Sequence, residues 1–274
     1  MKILKGNSDS NGSCGGHCGD TFRELIDIWQ ENGYCEVGES PDSFCWAEEH
    51  GYIILYDFPR IDDRKIPGFR HGIFGNTVPS HPKIHPWIFW ARSPRLLMEA
   101  RKKPLLGYKD RDIESVFLGK IENYIQQDNR MNHDWSTAGV ELFKCPVERP
   151  GPDYYAYTKE EYLEKLRHSR FGLALAGYGP KCNRETELLG MGVVPLFAPE
   201  VDNVYHEPLI EGLHFLSVKE PSDVKKVIAS VDEKQWLKMY EAGQDWYERN
   251  ASPRGSFETT KSIVDHIKLQ KEIL

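Results

Sequence analysis

The sequence predicts an α/β protein built from two doubly wound halves, and three observations carry that expectation. Short apolar strand candidates alternate with amphipathic helical segments along the whole chain. Two of the strands, residues 52–58 and 171–176, are near-continuous apolar runs of the kind a parallel sheet buries on both faces. The alternation breaks once, in a charged stretch at 100–112, and then restarts.

In order, the chain opens on a strand candidate at 2–5 and then the polar run GNSDSNGSCGGHCGD. In TFRELIDIWQENG the apolar residues Phe22, Leu25, Ile26 and Trp29 share one helical face. Thr21 or Asp20 serves as its N-cap and Gly33 as its stop. Strand, glycine-rich loop and helix in succession open a nucleotide-type α/β half. YIILYDF is a second strand and WIFWA (87–91) a third. ARKKPLLGYKDRD, broken by Pro104 and Gly107, reads as a linker. Beyond it ESVFLGK is a strand ending at Gly119, with a helical segment to about Met131, and VELFKC is another strand. KEEYLEKLRHS is a helix with Tyr162, Leu163 and Leu166 on one side, feeding the buried strand FGLALA. RETELLGMG is a helix closed by glycine, VVPLFA a short strand, and the tail from Val224 to Ile267 largely helical with a break near Pro253. The expected units are 1–105, 106–250, and a closing helix over 251–274 that packs back toward the first half.

Composition removes several classes. A net charge of -7 argues against a nucleic-acid partner, whose phosphates would be repelled. No stretch reaches the roughly 18–20 apolar residues of a membrane span, and the first residues lack a signal core. The expectation is a soluble, cytoplasmic protein. Six cysteines in no regular framework fit a reducing compartment.

No metal site is expected. Cys14, His17 and Cys18 lie close together, but no second tight pair completes a zinc set. Asp62 and Asp63 sit among Arg60, Arg64 and Lys65 and read as a solvated turn. His81 and His85 in VPSHPKIHPW are four apart, yet the prolines exclude the helix that would bring them together, so a surface loop is expected. GFRHGIFGN is either a plain loop or a crevice lining, and Trp135, beside His133 and Asp134, reads as core first and as a wall of a nucleotide pocket second.

The informative block is residues 169–200, SRFGLALAGYGPKCNRETELLGMGVVPLFAPE. A buried strand ends at Ala176, and Gly177, Tyr178, Gly179 and Pro180 form a loop at its carboxyl end, where open α/β sheets bind ligands. Glycines there let the backbone approach a phosphate, and the next helix offers its N-terminus. Lys181 and Arg184 add positive charge. Arg184 and Glu187, three apart, can face one ligand: the cation toward a diphosphate, the carboxylate toward ribose hydroxyls. The competing reading is a solvated ion pair on a surface helix.

The order S-x-F-x-L-x-x-x-G-x-G, then R-x-x-E-x-x-x-x-G-x-x-P and a short apolar strand, resembles the carboxyl-terminal half of exostosin-family glycosyltransferases. The matching residues are Ser169, Phe171, Leu173, Gly177, Gly179, Arg184, Glu187, Gly192 and Pro195. Upstream, VFLGKIEN with Gly119 and Lys120, and Arg130 further on, is similar to the strand–glycine–arginine opening of the same domain. The resemblance covers residues 115–230; the first hundred share only architecture. The absence of an anchor and stem brings the chain nearer the small soluble exostosin-like enzymes of large algal viruses, which points to UDP-xylose, although no residue read here selects a pentose over a hexose.

The resemblance implies a GT-B type fold, two Rossmann-like domains facing a central crevice, with no metal or cofactor. It implies inverting transfer of a sugar from a UDP-sugar to a hydroxyl of a glycan or glycoprotein acceptor. A side-chain base then removes the acceptor proton. The loop after the first strand offers Asp9, His17 and Asp20, with Asp20 also wanted as a helix cap and His71 next in rank. Two rivals remain. An epimerase or methyltransferase would want a glycine fingerprint directly after the first strand, which GSCGGHCGD fits poorly. A non-catalytic glycan-binding module would bind sugar without nucleotide.

Overall fold

The computed structural model describes residues 1–6, 19–40, 45–46, 53–56, 71–75, 82–87, 90–119, 121, 130–131, 133–142, 157–177 and 179–272. The chain forms two compact units. The first comprises Met1–Arg95, Asn203–Pro208 and Tyr247–Leu274, the second Leu96–Asp202 and Leu209–Trp246.

The first unit carries β1 (Lys2–Gly6), α1 (Gly19–Glu31), β2 (Glu36–Ser40), β3 (Cys45–Trp46), β4 (Ile53–Tyr56), β5 (His71–Phe74) and β6 (Ile84–Pro86). Its six strands run in the order β2-β1-β3-β4-β5-β6. All neighbours are parallel except β3, which is antiparallel to both β1 and β4. Helix α1 buries Leu25, Ile26, Ile28 and Trp29. It stops where Gly33 takes φ +71, a conformation open to glycine without a Cβ penalty. Asp20 lies inside the first turn of α1 rather than at its cap, because the helix begins at Gly19.

Three local expectations change here. Residues 71–74 and 84–86, read as loops, are neighbouring parallel strands. WIFWA is not a strand at its described positions, though Trp87, Trp90 and Ala91 are buried. The last helix, α7 (Pro253–Glu272), explains why: Trp87 donates from Nε1 to Thr260 Oγ1 at 2.8 Å, and Trp29 to Ser256 Oγ at 3.0 Å. The indoles are consumed as helix-docking groups. Their face of α7 is Ser256, Phe257, Thr260, Ile263, Val264 and Ile267, spaced by three and four.

In the second unit, α2 (Pro94–Arg101), within which the unit boundary falls, leads to β7 (Ile113–Phe117), β8 (Glu141–Leu142), α3 (Lys159–Arg167) and β9 (Ser169–Ala174). These are followed by α4 (Asn183–Gly190), β10 (Val194–Phe197), β11 (Leu216–Ser217), α5 (Val224–Ala229) and α6 (Glu233–Asn250), which continues into the first unit at Tyr247. All five strands are parallel, in the order β11-β10-β9-β7-β8. The chain steps from β7 out to β8, then crosses back to β9 on the other side. That reversal is a topological switch point between β7 and β9, the place where open parallel sheets receive ligands. The core joins Phe117, Trp135, Phe171, Leu173, Leu175, Val194, Leu196 and Trp236.

The charged stretch 100–112 is no linker but part of this unit. Arg111 is 0% exposed and donates to the carbonyls of Leu106 (2.9 Å), Leu166 (3.3 Å), Ser169 (2.5 Å) and Met191 (3.1 Å). Its guanidinium sits 5.3 Å and 5.8 Å from the Trp236 and Tyr240 rings. The fork of donors ties loose carbonyls at the amino edge of β7, β9 and β10, and burial lowers its pKa to about 10. Gly192, at φ +69, closes α4 in a Schellman turn: its amide bonds Leu189 O at 3.0 Å and that of Val193 bonds Leu188 O at 2.9 Å. A Cβ on Gly192 would meet Tyr240 at 2.3 Å, so packing as well as backbone conformation requires glycine.

Candidate functional site at the strand switch point

The carboxyl ends of β7 and β9 bring together residues that the sequence separates widely. Beyond β7 lies Gly119, beyond β9 the turn through Gly177 and Gly179. A Cβ on Gly119 would stand 2.7 Å from Arg184 Nη2 and 3.0 Å from Phe117. The missing side chain is the space in which the guanidinium lies. Arg184, near the start of α4, donates to Leu175 O at 3.0 Å and rests 4.5 Å from the Phe117 ring centroid.

Arg130 reaches the same ring, at 5.8 Å, donating to Ala176 O at 3.0 Å and Ile121 O at 2.8 Å. It is 2% exposed, and burial first, then the charge of Arg184, lowers its pKa to about 10. Two guanidiniums thus converge on one aromatic ring at the switch point. Two adjacent like charges, Arg130 buried and Arg184 partly exposed, repel each other and favour an anion.

The loop between β9 and α4 is tight. Gly177 N bonds Gly179 O at 3.1 Å, and a Cβ on Gly177 would meet Cys182 Sγ at 2.8 Å. Lys181 was expected to present its charge from this loop. Instead it is 1% exposed, turned toward Asp202 and Glu185, and desolvation lowers its pKa to about 8. The turn is pinned by Asp202 N donating to Pro180 O at 2.9 Å, which directs the lysine inward.

The N-terminus of α4 is partly occupied by its own chain, because Glu185 accepts from the Cys182 amide at 2.5 Å. Burial pushes the Glu185 carboxyl up to about 7 and the Cys182 thiol to about 12, so that thiol is inert at neutral pH.

Glu187 is 3% exposed and paired with Lys159 at 2.5 Å. The Tyr162 hydroxyl also bonds its carboxylate, and the Lys159 ammonium lies 4.0 Å from the Tyr162 ring centroid. Helix α3 runs back to feed β9, so its first residue arrives at the same sheet edge. Burial raises the pKa of Tyr162 well above its ordinary value, which keeps the phenol a donor. The solvated-pair reading of Arg184 and Glu187 does not hold, because Glu187 is buried and pairs with Lys159.

Past β10, Glu200 completes the cluster. Neither carboxylate oxygen is open to solvent, and neither receives a hydrogen bond among the described residues. The backbone amides of Glu200 itself and of Ala176 favour the charged form, and Arg130 and His133 act in the same sense. Desolvation outweighs them and raises its pKa. Sequence reasoning missed Lys159, Tyr162 and Glu200. None stands in a motif, and each reaches the site only through a crossover.

Lys120 and Tyr178 lie outside the described residues, as do Asp9, His17, Cys14, Cys18, Asp62, Asp63, His81 and the side chain of Asp20. Among the described residues no group of three or more His, Cys, Asp and Glu is arranged to hold a metal ion, and no helix is long and apolar enough to cross a membrane. Trp135 is in the core as expected, 0% exposed.

No protein-family model matches the chain, and no curated protein matches it. Among solved structures, a crystal structure of an alpha1,3-fucosyltransferase is similar at 11% identity over 90% of this chain and 87% of that one, with a TM-score of 0.41. A likeness that loose carries no conclusion, and the exostosin resemblance rests on its motif alone. What the fold defines is a mixed α/β protein with two predominantly or wholly parallel sheets.

Proposed function

We propose that this chain is a glycosyltransferase that binds a nucleoside diphosphate sugar at the switch point of its second unit. The observation that carries this reading is the convergence of Arg130 and Arg184 on Phe117 at the carboxyl edge of β7 and β9. A diphosphate is the kind of anion that two adjacent guanidiniums attract. The exostosin-like order of residues 169–200 supports the same reading and adds the finer points: a GT-B type fold, a UDP donor with xylose as the first sugar to try, and inversion at the anomeric carbon.

In this account the guanidiniums and the glycine turn at Gly177 and Gly179 stabilise the departing diphosphate. Glu187, held by Lys159 and Tyr162, accepts from the ribose hydroxyls. No metal is required, because protein cations carry the leaving-group charge. The base is drawn from Asp9, Asp20 and His17; alanine at the true base lowers kcat by about 10²–10⁴-fold with nucleotide binding intact.

The test is a thermal-shift screen of nucleoside diphosphates, followed by nucleotide-sugars assayed for diphosphate release with and without glycan acceptors. At 100 times its Kd, a binding nucleotide adds about 2.7 kcal/mol to stability. A protein that no nucleoside diphosphate stabilises, and that turns over no nucleotide-sugar, removes the reading.

A further inference from the structure

Lys159 stands where local rules disfavour it. It is the first residue of α3, at the helix end whose dipole repels a cation, ahead of Glu160 and Glu161, which suit that end. The start of the helix is firmly held all the same. Thr158 Oγ1 accepts from the Glu161 amide at 3.2 Å, Glu161 accepts from the Thr158 amide at 2.7 Å, and Tyr157 stacks on Tyr162 with ring centroids 6.1 Å apart. The Lys159 ammonium is set between the Glu187 carboxylate, at 2.5 Å, and the Tyr162 ring centroid, at 4.0 Å, and its side chain stays 19% exposed. A ligand can therefore reach it. A nucleotide is linear, and its order decides what comes next. From Arg184 one turn of α4 leads to Glu187, and α3 begins beside it. With the diphosphate at the first and the ribose at the second, the base falls at the start of α3.

We propose that Lys159 selects a pyrimidine base, its ammonium donating to the C2 carbonyl oxygen while it holds Glu187, with the Tyr157 ring as the surface on which the base packs. The inference rests on the switch-point reading of function and adds to it the class of base. In a pyrimidine nucleotide the C2 oxygen and the ribose 2′-hydroxyl are neighbours across the glycosidic bond, an acceptor beside a donor. Lys159 and Glu187 are a donor beside an acceptor, and they match that pair. A purine offers only a ring nitrogen on that side, set back by the length of a carbonyl bond, about 1.2 Å, and does not make the same contact. An ion pair that served packing alone would be indifferent to the base.

The experiment measures, by calorimetry, the Kd of UDP, CDP, ADP and GDP for the wild type, Lys159→Arg and Lys159→Met. The readout is the ratio of purine Kd to pyrimidine Kd within one protein, in which the shared ribose and diphosphate contributions cancel, as does any loss of folded fraction. The wild type is expected to favour UDP and CDP by about 10-fold or more, the contribution of one charge-assisted hydrogen bond. Lys159→Met lowers that ratio by about the same factor, and Lys159→Arg, which keeps the charge and the donors, retains part of the preference. Titration of the wild type with 2-thio-UDP reads the contact from the ligand side: sulfur is the poorer acceptor, and the analogue is expected to bind several-fold more weakly than UDP. A wild type without a pyrimidine preference, a preference that survives intact in Lys159→Met, or 2-thio-UDP binding as tightly as UDP overturns the proposal. A wild type that binds no nucleoside diphosphate overturns the parent reading instead, and that is seen before any variant is made.

Discussion

Gly119→Ala is the sharpest probe of the arginine pair, because it adds one methyl where the structure leaves room for none. The new Cβ would stand 2.7 Å from Arg184 Nη2 and 3.0 and 3.2 Å from two carbons of Phe117. Ordinary contact begins near 3.5 Å, so the guanidinium must retreat by about 0.8 Å. Its end is flexible and can do so, which holds the stability cost toward the lower part of the roughly 1–3 kcal/mol range for overpacking. The retreat pulls Arg184 off the Phe117 face and off Leu175 O, the contacts that aim it. A charge-assisted hydrogen bond contributes about 1.5–3 kcal/mol, so UDP binding should weaken by about 10–100-fold. Calorimetric titration of Gly119→Ala, Arg184→Met and the double variant separates the cause. If the methyl acts through Arg184, it adds little once Arg184 is methionine. Equal loss in both backgrounds, or no loss in the single variant, refutes the assignment.

Further outcomes follow from other parts of the structure. Glu187→Ala should weaken UDP binding by about 1–3 kcal/mol in a folded protein; unchanged affinity by the same titration removes Glu187 from the ribose. Arg111→Met removes the side-chain donor that the carbonyls of Leu106, Leu166, Ser169 and Met191 share. It should cost about 3–5 kcal/mol in urea unfolding, and a loss under 1 kcal/mol contradicts its role as a sheet staple. His85 packs against His71, ring nitrogens 2.9 Å apart, with His206 and His266 also near; burial first, then those neighbours, lowers its pKa to about 4. The unfolded chain takes up that proton near pH 6.5 and the folded one does not. The stability contributed is therefore complete above pH 6.5 and is lost as pH falls through about 4. Because His85 is only half buried, the loss is about 1–2 kcal/mol, and His85→Gln should flatten the slope of melting temperature against pH in that window.

The second unit was the more legible in sequence. Its strand β10 is an unbroken apolar run and β9 is apolar from Phe171 on, α4 ends on glycine, and the functional residues of 177–187 are near neighbours along the chain. Strands β5 and β6 were missed because histidine, glycine and proline interrupt their apolar pattern, and partners across the sheet stabilise them. The stretch 100–112 misled because charge reads as solvation, whereas Arg111 spends its charge on backbone carbonyls. Pairing was the least visible property. Lys159 and Glu187 are 28 residues apart and meet only because a crossover helix returns to the edge where its strand ends. Glu200 meets Arg130 only because the sheet order reverses between β7 and β9.

The central claim is a metal-independent diphosphate site at that reversal, and titration of the protein with UDP in excess EDTA tests it most directly, with uridine as the phosphate-free control. The account predicts that UDP binds with the same affinity with and without EDTA, that uridine binds at least about 10-fold more weakly, and that Arg184→Met closes most of that gap. UDP binding lost in EDTA and restored by Mn²⁺, or uridine binding as tightly as UDP, would contradict it.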